Sequence, residues 1–133
     1  MQVLDTSVIY KWYVEENGSR QALKILSNFI DGKTEISVPD LVLYELANAL
    51  KSNPQNIEKD IEDVIDNFIN LNLNIVVATS GLLKNAVKVS YKYDVTIYDA
   101  IYIALAEDLN FEFITADKKL FDKIKSLPFV KLL

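Results

Sequence analysis

The sequence predicts an α/β fold in which a mainly parallel β-sheet is covered by helices on both faces. Short apolar runs alternate with longer helical stretches from one end of the chain to the other, the pattern that crossover connections impose on a parallel sheet. Half of the residues are hydrophobic and a quarter are charged, which suits a packed globule and excludes a chain disordered by composition. At 133 residues, with no internal repeat, low-complexity segment or linker, the chain is expected to form one domain spanning 1–133.

Residues 2–4 form a short strand candidate ending at Asp5, after which Thr6-Ser7 opens an apolar helical stretch over 8–14. Gly18-Ser19 starts a second helix that ends near Asp31-Gly32 and places Ala22, Leu23, Leu26, Phe29 and Ile30 on one face. A second strand over 35–38 is stopped by Pro39. Asp40 caps a helix over 41–51, with Leu43, Leu46, Ala47 and Leu50 as its expected core stripe. Asn53-Pro54 then breaks the chain before an acidic helix over 55–70, whose Ile57, Ile61, Val64, Ile65 and Phe68 are expected to turn inward. A third strand (73–77), a helix (80–91), the most hydrophobic helix (96–108), a fourth strand (111–115), a short helix (118–126) and a final strand (128–133) complete the order.

What the chain lacks narrows its chemistry. Without cysteine it has no disulfide, thiolate nucleophile or Cys-ligated zinc; without histidine it loses the commonest general base and every Ser-His-Asp or Cys-His arrangement. Carboxylates, lysines and hydroxyls remain, a set suited to hard cations such as Mg²⁺ or Mn²⁺. A net charge of −5 argues against coating nucleic acid by bulk electrostatics. Residues 40–66 alone carry that −5, however, so the remainder is balanced and keeps local basic patches. Lys84, Lys88 and Lys92 recur at every fourth position, and Lys118, Lys119, Lys123 and Lys125 cluster near the end. The N-terminal stretch has no apolar region of signal-peptide length, and the longest uncharged run, 67–83, holds four asparagines, so a cytoplasmic protein without a membrane span is expected.

Four carboxylates stand in awkward places for bare negative charge and read as one divalent-metal site. Asp5 follows the first strand and Asp117 the fourth, at the strand ends where open α/β sheets bind ligands. Either could instead be a turn or helix cap. Asp99 is the only carboxylate or amine in 96–106, where an unpaired ionised group would cost on the order of several kcal/mol. Its competing account is a capping box with Thr96, a role compatible with metal binding. Glu45 points away from the expected core stripe, yet Leu41, Val42 and Ala49 flank it, so Glu45 and Asn48 are expected to share a covered cleft or interface. Asp60, Glu62, Asp63 and Asp66 read as a solvated helix face, and the tyrosines at 91, 93, 98 and 102 as packing residues.

Four blocks in order then carry a resemblance: Leu4-Asp5-Thr6-Ser7; Pro39 leading to Tyr44-Glu45-Leu46-Ala47-Asn48-Ala49-Leu50; Thr96-Ile97-Tyr98-Asp99-Ala100-Ile101-Tyr102-Ile103-Ala104-Leu105-Ala106; and Ile114-Thr115-Ala116-Asp117-Lys118-Lys119-Leu120. They span essentially the whole chain, which resembles the PIN domain family and specifically its VapC-type toxins. The resemblance implies a three-layer α/β/α sandwich and an endoribonuclease using Mg²⁺ or Mn²⁺, the toxin of a type II toxin–antitoxin pair. Residue by residue, Asp5, Glu45, Asp99 and Asp117 match the catalytic and metal-binding acids, Thr6 or Ser7 and Thr115 the supporting hydroxyls, and Asn48 the polar residue following the glutamate. Also implied are an RNA substrate, a cognate small antitoxin and a homodimer. The alternative is a catalytically silent PIN module that acts by binding protein or RNA. A dehalogenase-type phosphatase would need a second aspartate two residues after Asp5, where Ser7 stands, and a receiver domain would need a phosphoacceptor where Ala78-Thr79 follow the third strand.

Overall fold

A computed structural model describes residues 1–133. Its strands are β1 (Gln2–Leu4), β2 (Ile36–Pro39), β3 (Asn74–Val76), β4 (Glu112–Thr115) and β5 (Val130–Leu132). They form one sheet in the order β3-β2-β1-β4-β5, with every pair parallel. Parallel neighbours require crossovers, which are supplied by α1 (Thr6–Ile9) and α2 (Ser19–Ile30), α3 (Leu41–Ser52) and α4 (Glu58–Asn70), α5 (Ser80–Tyr93) and α6 (Ile97–Leu109), and α7 (Lys118–Ile124). Helices flank the sheet on both faces, giving the expected three-layer α/β/α sandwich.

The chain builds outward from β1 through β2 to β3, then crosses back to add β4 and β5 on the other side. Strand order therefore reverses between β1 and β4. The crevice beyond their carboxyl ends is the topological switch point, the usual ligand site of such sheets. Leu4 is level with Ile114, so the residues that follow, Asp5 and Thr115, enter this crevice side by side.

Burial explains the most hydrophobic helix. Residues 100–106 of α6 are all buried, because α6 lies across β1, β2 and β4 while α5 packs over its outer side. A helix covered on two faces has no solvent stripe, and its sequence is accordingly apolar nearly all round.

Several expected faces and bounds are corrected by packing. The stretch 8–14 is one α-helical turn followed by a 3₁₀ turn at Tyr10–Trp12, where Trp12 turns inward and its indole N–H donates to the Ala22 carbonyl at 2.9 Å. In α2, Leu23 and Ile30 are exposed and Ile25 packs against the core instead. In α3 the buried stripe is Val42, Leu46 and Leu50, while Leu43 and Ala47 are only half-buried and line a groove with α4. That helix is apolar around most of its circumference, so periodicity leaves its rotation open and contact with α1 and β2 decides it. Helix α4 starts at Glu58, not residue 55, since the Asp60 carboxylate accepts the Ile57 N–H at 2.9 Å and fixes the first turn there. Ile57 and Ile65 consequently remain exposed, and Ile61, Val64 and Phe68 form the inner face.

Candidate active site

Asp5 is placed by backbone and held by hydroxyls. Its N–H donates to the Ile114 carbonyl at 3.0 Å, and its own carbonyl accepts from Val8 and Ile9, so the main chain begins α1 here. Its carboxylate caps nothing. Instead, Asp5 Oδ2 accepts from Ser7 Oγ at 2.6 Å and from Thr115 Oγ1 at 2.8 Å. Each hydroxyl is oriented in turn by a backbone donor, Ala116 N–H on Ser7 at 2.9 Å and Asp117 N–H on Thr115 at 3.0 Å. The turn after β4 is thereby tied to the turn after β1 through a single carboxylate oxygen.

That carboxylate is only 7% exposed. Burial pushes its carboxyl up to about 6 against the pull of the Ser7 and Thr115 hydrogen bonds, and the charges of Asp99 and Glu45 add to the rise. No cationic side chain pairs with it. The bond pattern falls on Oδ2 alone, which leaves Asp5 Oδ1 without a hydrogen-bond partner in the chain.

Glu45 sits on the rim of α3's buried stripe and reaches inward, not into open solvent. Its Oε1 accepts from Tyr102 Oη at 2.6 Å and from Thr6 Oγ1 at 3.1 Å, while Oε2 makes no hydrogen bond. The two sequence candidates Thr6 and Ser7 thus divide the work, Thr6 on Glu45 and Ser7 on Asp5. Asp99 lies in the first turn of α6, where its backbone N–H donates to the Thr96 hydroxyl at 3.1 Å. The return bond of a capping box is not made. The half-buried Asp99 carboxyl is raised, first by burial, with the Thr96 hydroxyl opposing and the Glu45 and Asp117 charges reinforcing. Asp117 does cap α7, accepting from Leu120 N–H at 3.1 Å. Asn48 is exposed on the outer turn of α3, and its side chain makes no hydrogen bond to any of the four acids.

The four acids therefore gather at one end of the sheet and repel one another electrostatically. As placed, no three acidic side chains form a group that could hold one ion. Like charge also opposes closer approach, the lesser of the causes that raise Asp5 and Asp99 after burial. In chemistry the set suits a hard cation: every donor is oxygen, Asp5 is desolvated without a countercharge, and Asp5 Oδ1 and Glu45 Oε2 are unclaimed.

The sequence reading missed Tyr102, taken only as a packing residue. It packs, with no exposed surface and its ring 6.3 Å from that of Phe113, but its hydroxyl also bonds Glu45 and Thr6. The available signal was its place three residues after Asp99 on the same helical face.

A PIN domain model matches residues 3–127, a span containing all four acids and both strand-end turns. The chain belongs to the PIN domain family. Within that family it is 32% identical to Ribonuclease VapC3 of Pyrobaculum aerophilum, with 94% of this chain and 95% of the relative covered. Its PIN fold superposes on VapC20 of Mycobacterium tuberculosis, a sarcin-ricin loop cleaving toxin, with a TM-score of 0.75 at 14% identity, covering 98% of this chain and 97% of that one. A toxin-antitoxin complex from Klebsiella pneumoniae gives the same TM-score, 0.75, at 17% identity, covering 98% of this chain and 96% of that one.

The hydroxyl bridges of this PIN domain are expected to contribute to its stability. Ser7→Ala leaves the Ala116 N–H unpaired and removes one of the two bonds that hold Asp5 down, so a loss of about 1–3 kcal/mol is expected in urea denaturation at neutral pH. Unchanged stability would show that the bridge is incidental.

Proposed function

We propose that this PIN domain is a divalent-metal-dependent endoribonuclease of the VapC type, the toxin of a type II toxin–antitoxin pair. The observation that carries this reading is Asp5: a nearly buried carboxylate at the sheet's switch point, held by hydroxyls, faced by other acids and paired with no cation. Its countercharge has to come from outside the chain. Kinship to Ribonuclease VapC3 supports RNA as the substrate.

Asp5, Glu45, Asp99 and Asp117 would hold Mg²⁺ or Mn²⁺. Such an ion, when bound, neutralises charge at a scissile phosphate and makes water a stronger acid at neutral pH, a task for which this chain has no histidine. The chain's own residues supply placement. Ser7 and Thr115 hold Asp5, Thr6 and Tyr102 hold Glu45, and the α7 cap holds Asp117.

Lys119 supplies a phosphate contact. It shares a cleft with Asp99 and Asp117, and unlike Lys118, Lys123 and Lys125 it pairs with no carboxylate. Lys119→Gln is expected to raise KM for RNA several-fold with kcat nearly unchanged, and to lower the slope of log affinity against log salt by about 0.7 on a single strand. An unchanged KM and salt slope would remove Lys119 from the substrate path.

The groove between α3 and α4, lined by Leu43, Tyr44, Ala47, Ile65, Phe68 and Ile69, supports a protein partner, which this reading supplies as an antitoxin or a second copy of the chain. Tyr44 is 70% exposed there, an apolar surface of the kind that partners cover. No helix is long and apolar enough to cross a membrane; the reading places the chain in the cytoplasm with its RNA. Incubating the purified chain with RNA and Mg²⁺ or Mn²⁺, with and without chelator, tests the activity. Cleavage stopped by chelator, leaving 5′-phosphate and 3′-hydroxyl ends, is expected; no cleavage with either ion would favour the silent binding module.

A further inference from the structure

We infer that Tyr102 is a positioning residue for Glu45: its buried hydroxyl, together with that of Thr6, holds one oxygen of the carboxylate and leaves the other for the cation. This rests on the metal-dependent reading of the same site. Tyr102 projects from α6 one turn beyond Asp99, Glu45 from α3, and Thr6 from the residue after Asp5. Their three oxygens close a triangle of 2.6, 2.7 and 3.1 Å. Two helices that each carry one of the acids, and the residue that follows a third acid, therefore meet at one hydroxyl.

The direction of the bonds follows from chemistry. A phenol is a far weaker acid than a carboxylate, so the proton between Tyr102 and Glu45 is the phenol's and Tyr102 donates. Thr6, with one proton, can donate to Glu45 Oε1 or to the phenol oxygen, and either choice reinforces the same atom of Glu45. With no exposed surface and its ring packed on Phe113, Tyr102 has little freedom to release that bond. A carboxylate pinned through one oxygen can rotate only slightly, so its free Oε2 offers a single preset ligand and the ordering entropy is met before any ion arrives. Partners that orient a ligating carboxylate typically change metal affinity by about 10–100-fold when removed.

Tyr102→Phe deletes the hydroxyl and keeps the ring. Mn²⁺ binding measured by titration calorimetry on the full chain, without RNA, is expected to weaken by about 10–100-fold, and cleavage to recover in part at high Mn²⁺. In a Glu45→Gln background the same substitution should add almost nothing, because both act through one carboxylate. Full additivity in that cycle would mean that Tyr102 acts by a route other than Glu45, and unchanged Mn²⁺ affinity in Tyr102→Phe would mean that it only packs; either would overturn the inference while leaving the metal site intact. Failure of the unsubstituted chain to bind Mn²⁺ would overturn both. Should Tyr102→Phe not fold, Thr6→Val removes the other hydroxyl of the triangle; a smaller weakening in the same direction is expected, and none would count against the inference.

Discussion

Asp5→Asn and Asp99→Asn proteins are expected to fold and to lose RNA cleavage, each by about 10²-fold or more, the scale set by removing one preorganised electrostatic group from an active site. For Asp5 the fold should improve as activity falls. The asparagine carbonyl can accept from Ser7 and Thr115 where Asp5 Oδ2 does now, so the two turns stay tied. What disappears is a buried negative charge whose carboxyl is pushed from 3.8 to about 6, a penalty of about 3 kcal/mol at neutral pH. Melting in chelator should therefore rise for Asp5→Asn while cleavage in Mg²⁺ collapses. Opposite movement of the two readouts separates a functional acid from a structural one. Unchanged cleavage in both proteins would sink the assignment, and a lower melting temperature for Asp5→Asn would mean that the carboxylate supports the fold.

The acids illustrate what a sequence can and cannot say. Asp5 and Asp117 had the same bland reading, a cap at a strand-to-helix turn, and spacing could not divide them. Three dimensions do: Asp117 caps α7, whereas Asp5 ignores the N–H groups of α1 and turns to a hydroxyl 110 residues away. That partner lies beyond any local pattern because it depends on β1 and β4 being neighbours across the switch point. The alternation of elements was legible, since crossover connections write themselves into the order of strands and helices. The rotation of α3 was not. Apolar residues on nearly every side let Leu43 and Ala47 look like core until packing buried Val42 instead. Glu45 moved with that rotation, from a residue facing away from the core to a half-buried one bonded by two hydroxyls at the core's rim. Tyr102 went unread for a related reason: an aromatic on an apolar helix satisfies the packing account completely, and only its distant partner reveals the second role.

In metal-free protein, stability is expected to fall as pH rises from about 4 to about 6, and Mg²⁺ or Mn²⁺ to reverse the trend. The folded-state carboxyl of Asp5 lies above its ordinary value, so between 3.8 and about 6 the folded chain binds more protons than the unfolded chain. Stability contributed by the protonated acid is complete below that ordinary value and is lost as pH climbs through about 6. Asp99 is raised as well and acts in the same direction. The shift of Asp5 alone corresponds to about 3 kcal/mol, or on the order of 10 °C in melting temperature for a chain of this size. A cation needs the deprotonated acids, so its stabilisation should be larger at pH 7 than at pH 5, and cleavage should fade over the same interval. Melting curves across this range, in chelator and in Mg²⁺, check both halves. An unchanged pH slope in Asp5→Asn would assign the effect elsewhere, and a melting temperature indifferent to Mg²⁺ and Mn²⁺ at every pH would remove the metal. The chain has no histidine. Because no imidazole titrates in this window, a stability step there has to belong to carboxylates, and the composition that first pointed away from histidine chemistry also makes the linkage readable.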